Sequence, residues 1–143
     1  MQCQNFKISR DNIGIEIDDT YLDLHNNYNF IGYVHDKEDK RVIFTWRRTI
    51  GDWVNTDAPS SVKIVIEVVS IFRHKERNPE MPVSEDKTIS YIGFLHPRDV
   101  TVMNAYAENM HIDDSCHFVL GLESEEAFIV EAKTARCHIG VDI

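Results

Sequence analysis

The chain has 143 residues, 43% of them apolar and 27% charged, and its 15 Lys and Arg against 24 Asp and Glu leave a formal net charge of −9. A length of this order suits one globular domain, 1–143, that buries about two-thirds of its unfolded surface and needs neither disulfide nor metal for stability. The composition excludes a disordered chain, and the negative charge opposes binding to nucleic acid or to an anionic membrane.

The first seven residues carry no apolar run of the kind a secretory leader needs. Residues 64–71, the longest hydrophobic stretch, are interrupted by Glu67 and Ser70, so no membrane span is expected. Three cysteines, Cys3, Cys116 and Cys137, cannot all pair with one another, and no Asn-x-Ser/Thr sequon occurs. Both facts point to a reducing, cytoplasmic environment.

Alternation with period two dominates the chain from Ile13 onward. Ile13, Ile15 and Ile17, the turn at Asp18-Asp19-Thr20, and then Leu22 and Leu24 read as a hairpin. Tyr28, Phe30, Gly32 and Val34 form the next inward series. After the charged turn 36–40, Val42, Phe44 and Trp46 face the core while Arg41, Thr45 and Arg47 face water. Residues 49–61 are a long polar connection into a strand over 62–72. One face of that strand carries Val62, Ile64, Ile66, Val68 and Phe72, and the other Val65, Val69 and Ile71, so it belongs at the sheet centre with both faces covered.

Residues 73–87 form a charged loop broken by Asn78-Pro79 and Met81-Pro82, before a strand over 89–95. A helix is expected over 98–110, with Val100, Met103, Ala107 and Met110 on one face and Asp99 in the first turn. Three short strands come next, near 116–122, 127–133 and 136–142, the first two joined by a turn over 123–126. The expected fold is mostly β, a β-rich α+β arrangement. It is an antiparallel β-sandwich or strongly curved sheet of about eight or nine strands, with one helix near residues 98–110.

The charge is unevenly spread. Residues 99–143 hold nine carboxylates against Lys133 and Arg136, whereas the first 98 residues are nearly balanced. A folded chain with one strongly negative end attracts cations and basic proteins. The expected function is therefore that of a small acidic protein-binding module, of immunity or inhibitor type, docking on a cationic protein partner. Glu108, Asp113, Asp114, Glu123, Glu125 and Glu126 would carry the contact, with Trp53 from the 49–61 loop as an aromatic anchor. The alternative is a small-molecule or carbohydrate-binding β-sandwich with Tyr33, His35, Trp46 and Trp53 around its mouth. Dimerisation through a sheet edge is compatible with either.

No catalytic signature is present: neither a nucleophile elbow, a His-Glu-x-x-His pair, a phosphate loop nor a dinucleotide fingerprint occurs. An enzyme would have to assemble its site from distant strands, and no catalytic residue is assigned. Glu85-Asp86 precedes a strand and reads as a solvated or turn-capping pair. Cys116-His117 and Cys137-His138 supply zinc-type atoms. Neighbours in a strand point to opposite faces, however, and the first and third strands of a meander lie about 9.6 Å apart. No metal site and no cofactor is expected. If the strands before and after the 49–61 connection are antiparallel neighbours, Arg47 and Arg48 fall at the opposite end from Arg73, His74, Lys75 and Arg77, and these cations form no joint nucleic-acid surface.

Overall fold

The computed structural model describes residues 1–95 and 117–140. The expected helix over 98–110 lies outside the described residues, as do Cys116, Glu108, Asp113 and Asp114. Ten strands occur among the described residues: β1 (Gln2–Cys3), β2 (Lys7–Ile8), β3 (Gly14–Ile17), β4 (Thr20–Asp23), β5 (Tyr28–Asp36), β6 (Arg41–Arg48), β7 (Ser61–Lys75), β8 (Ile89–Leu95), β9 (His117–Leu122) and β10 (Ala127–Gly140). A single 3₁₀ turn, Val83–Lys87, precedes β8. The protein is mostly β, as its alternation requires, and no described helix is long and apolar enough to cross a membrane.

The large sheet runs β5-β6-β7-β10-β9-β8 with antiparallel neighbours, and β1 adds to β10 in parallel. It is strongly curled, and the small sheet β2-β3-β4 packs into the same core. Both expected hairpins form. In the first, Ile17 pairs with Thr20, and Asp18 and Asp19 have φ of 50° and 61°, the left-handed pair of a two-residue turn that matches strand twist.

Alternation fills the interior. Val42, Phe44 and Trp46 of β6, Val62, Ile64 and Ile66 of β7, Phe118 and Leu120 of β9, and Phe128 and Val130 of β10 are all fully buried. Ile15, Leu22 and Leu24 close the core from the small sheet. Each such side chain contributes about 1.5–3 kcal/mol by leaving water. The small sheet is also tied to β8 by polar contacts. The Ile92 amide donates to the Asn12 carbonyl at 2.8 Å, and Asn12 Nδ2 donates back to the Ile92 carbonyl at 3.1 Å.

Three details depart from simple alternation. First, β5 bulges between Phe30 and Gly32, so Tyr33 pairs with Phe44 and His35 with Val42. Tyr33 and His35 therefore turn toward the core side, and Val34, expected inside, points out and is 61% exposed. Second, Val68 takes φ 58° in β7, which turns it outward and brings Val69 into the core instead. The outer face of β7 is thus covered only in part: Val65 is buried between Ile43 and Arg136, while Lys63, Val68 and Ser70 meet solvent. Third, the last two expected strands are one. Residues 127–140 contain no Gly or Pro before Gly140, so the register shift at Glu131/Ala132 is absorbed as a bulge and β10 continues.

A candidate docking end built from two acidic segments

The acidic turn between β9 and β10 lies at the same end of the large sheet as the charged loop that leaves β7. Four backbone-centred contacts fix the turn. The Glu125 amide donates to the Leu122 carbonyl at 2.9 Å, the Leu122 amide to the Glu126 carbonyl at 2.8 Å, the Glu123 amide to the Thr88 carbonyl at 2.8 Å, and the Asn78 amide to the Ser124 carbonyl at 2.8 Å. Glu125, at φ 71°, provides the left-handed residue that lets four residues reverse the chain. The Asn78 side chain then donates to Glu125 Oε2 at 2.7 Å. Asn78-Pro79, a turn signal in the sequence, is thus the clamp that brings the two segments together.

The result concentrates charge. Residues 75–87 carry four carboxylates (Glu76, Glu80, Glu85, Asp86) against Lys75, Arg77 and Lys87, and the turn adds Glu123, Glu125 and Glu126. Besides Glu125, two of these carboxylates are engaged locally. Arg77 Nε donates to Asp86 Oδ1 at 2.8 Å while its Nη2 donates to the Met81 carbonyl at 2.7 Å, which folds the loop over the 3₁₀ turn. The Arg77 guanidinium, bonded to Asp86 Oδ1, holds the Asp86 carboxyl below its ordinary range. Glu126 Oε1 lies 3.3 Å from His74 Nε2. Glu85-Asp86 is therefore a turn element with one member ion-paired, in keeping with its structural reading.

Beside Glu126 runs a row of rings. His74 stacks on Phe128 with centroids 4.8 Å apart, Tyr33 meets the same ring edge-on at 4.7 Å, and His35 lies 4.2 Å from Phe72. Phe128 is the buried floor, and the others show their edges to solvent. Two clefts flank Glu126. One, of about 610 Å³, is lined by Glu123, Glu125 and Glu126 with Lys75, Ser90 and Tyr91. The other, of about 480 Å³, lies between residues 30–33 of β5 and the 3₁₀ turn. Apolar groups stand in water at its rim: Val83 is 73% exposed and Ile31 54%.

The structure thus gathers Glu123, Glu125, Glu126, Tyr33 and His35 at one end. Trp46 and Trp53 stand apart from them. Trp46 is fully buried beside Phe30 and Phe44. Trp53, 67% exposed, lies against Gly51, and its indole N–H donates to the Asn26 carbonyl at 3.1 Å, near the start of β5. The buried plug of the 49–60 loop is Val54, not Trp53. Arg47 pairs with Ser61 at the far end of β7 from Arg73, so the two basic groups are separated as expected. His117 is buried with Nδ1 3.7 Å from Glu131, while Cys137 pairs with Ile64 further along β10. Among the described residues no three His, Cys, Asp or Glu side chains converge as metal ligands would.

Alternation alone missed Phe72, His74, Phe128 and Val83 as members of this end, because the bulge in β5 and the irregular register of β7 decide which rings meet. Comparison with known proteins found no matching family model, no matching curated protein and no matching solved structure.

Proposed function

We propose that this protein is a small cytosolic binding module that docks on a basic protein through the end formed by the 75–87 loop and the 123–126 turn, in the manner of an immunity or inhibitor protein. One observation carries the reading: two segments far apart in sequence are clamped by Asn78, and their excess of carboxylates then borders exposed Val83 and Ile31. Charge steers the encounter, and apolar groups beside it supply what the rim charges do not, since exposed ion pairs each contribute little.

The test uses the protein as bait in a lysate of its source organism, eluted by a salt gradient. A basic protein released at moderate salt, and not retained by bait carrying Glu123→Gln, Glu125→Gln and Glu126→Gln, supports the reading. A partner retained equally by both baits, or no partner at low salt, overturns it.

A second reading, a small neutral ligand held at the Tyr33 and His35 edges, is favoured by the half-exposed ring row next to the 480 Å³ cleft. It predicts NMR shifts at Tyr33 and His35 that are indifferent to salt. Trp53 has no part in it, because it stands at the other end of β5.

A further inference from the structure

The end of the molecule remote from the acidic turn carries an opening of a different kind. On β10, Ala127 pairs with Lys75 at the acidic end, and Ile139 pairs with Val62 at the other. Beside Ile139, a cleft of about 370 Å³ lies between β4, an edge strand of the small sheet, and residues 55–59 of the loop before β7. Its lining includes the buried Ile17, Leu22 and Tyr28. A volume of this order suits one small molecule. Both walls are fixed from within the protein. The Tyr28 hydroxyl donates to the Pro59 carbonyl at 2.8 Å, Arg48 Nη1 donates to the carbonyls of Thr56 and Ala58, and the Asp57 amide donates to Asn55 Oδ1 at 2.9 Å. Across the cleft, Asp23 Oδ1 accepts from the amides of His25 and Asn26 at 3.0 and 2.8 Å.

The hairpin also offers main chain to this cleft. In a two-residue hairpin the residues flanking the turn exchange hydrogen bonds, and bonded and non-bonded pairs then alternate. Ile17 with Thr20 and Ile15 with Leu22 are thus the bonded pairs, and Tyr21 turns its N–H and C=O away from β3, on the cleft side. No other backbone group among the described residues bonds to them.

These groups decide what fits. Asp18, Asp23 and Asp57 line the cleft and no Lys or Arg does, which disfavours phosphates and carboxylates. An ammonium group only donates, and leaves the Tyr21 amide without an acceptor. Hydroxyl groups do both. They can donate to the Asp18 and Asp57 carboxylates and pair with the Asn27 side chain, none of which has a hydrogen-bond partner among the described residues, and accept from the Tyr21 N–H. We propose that this cleft binds a neutral, hydroxyl-rich ligand about the size of one sugar ring, with the C–H face of the ring against Pro59 and the half-exposed Ile139. Neither the 75–87 loop nor the 123–126 turn contributes to it, so it stands or falls apart from the docking function.

The test is an amide NMR titration with methyl glucoside, methyl galactoside, methyl mannoside and N-acetylglucosamine, with glucuronate and putrescine as charged comparisons. A ligand of one ring should bind with a Kd of about 1 mM, so each is taken to about 20 mM. The inference predicts, for at least one neutral sugar, saturable shifts at residues 20–23, 27 and 55–58, and binding of glucuronate and putrescine weaker by about tenfold or more. Asn27→Ala and Asp57→Ala remove side chains that hold nothing else in place, and each should weaken that sugar about fivefold, the worth of one hydrogen bond, with the urea midpoint unchanged. If no neutral sugar gives saturable shifts at these residues, the inference is wrong. It is equally overturned if putrescine binds there as tightly as the best sugar, which makes the cleft a reader of charge alone, or if both variants bind that sugar as the parent does.

Discussion

Asn5 and Cys137 exchange two hydrogen bonds: Asn5 Nδ2 donates to the Cys137 carbonyl at 2.8 Å, and the Cys137 amide donates to Asn5 Oδ1 at the same distance. The carboxamide thus presents the donor and acceptor that a strand residue would, and prolongs the pairing of β1 with β10 by one step. Asn5→Ala leaves both main-chain groups of a buried residue without these partners, and we expect a loss of about 1–3 kcal/mol in urea unfolding. Asn5→Asp, which keeps only the acceptor, should also destabilise the protein.

Alkaline pH should weaken the fold through Tyr28 and Cys137. Burial pushes the Tyr28 phenol up to about 12 and the Cys137 thiol up to about 12. In the unfolded chain they ionise near 10 and 8.5. Their raised values mean that the unfolded state loses its protons first. Their stabilising contribution is complete below those ordinary values and is lost as pH rises toward 12. The urea midpoint should therefore fall between pH 8.5 and 11, and fall less in Tyr28→Phe. An unchanged slope in that variant would remove Tyr28 from the explanation. At pH 8 the Cys137 thiol, 2% exposed, should resist iodoacetamide in the native state and react in urea.

The hairpin turn at Asp18-Asp19 places two carboxylate residues at positive φ. Asp19→Gly gives the second turn position the residue it favours, and should raise stability by about 0.5–1 kcal/mol. Thermal unfolding measures it, and a lower midpoint would count against the left-handed assignment.

Phe128→Ala should cost about 3–5 kcal/mol, because the ring is fully buried and touches Phe30, Tyr33, Phe44, Phe72 and His74. Phe128→Leu should retain most of the stability while altering NMR shifts at Tyr33 and His74. If those resonances stay put, the ring row is not a unit.

Much of the fold was legible where alternation is uninterrupted. Val42, Phe44 and Trp46 announce a core-facing strand, and Asp18-Asp19 announces the turn of the first hairpin. What alternation cannot show is a bulge, since one extra residue at Gly32 exchanges the faces of Tyr33 and Val34 without any change in composition. The break expected near residues 133–136 is absent because Lys133-Thr134-Ala135 offers no residue that would end a strand, and β10 runs through. The acidic turn was visible as a charge run. Its alliance with the 75–87 loop was not, because Asn78 reaches across 47 positions to Glu125 and leaves no local pattern.

The placement of β10 has a consequence for biosynthesis. This late strand is the shared neighbour of β1, β7 and β9, and residues 2 and 3 find their partners only at 134 and 135. A chain emerging N-terminus first can form the β5–β6–β7 meander on its own. That meander then waits, with the edge of β7 that pairs with β10 left open, until some 50 further residues have been made. At ordinary synthesis rates this leaves a window of several seconds. Newly made protein should accordingly be most prone to aggregation just before β10 leaves the ribosome, and truncation within β10 should be far more damaging than loss of the first few residues.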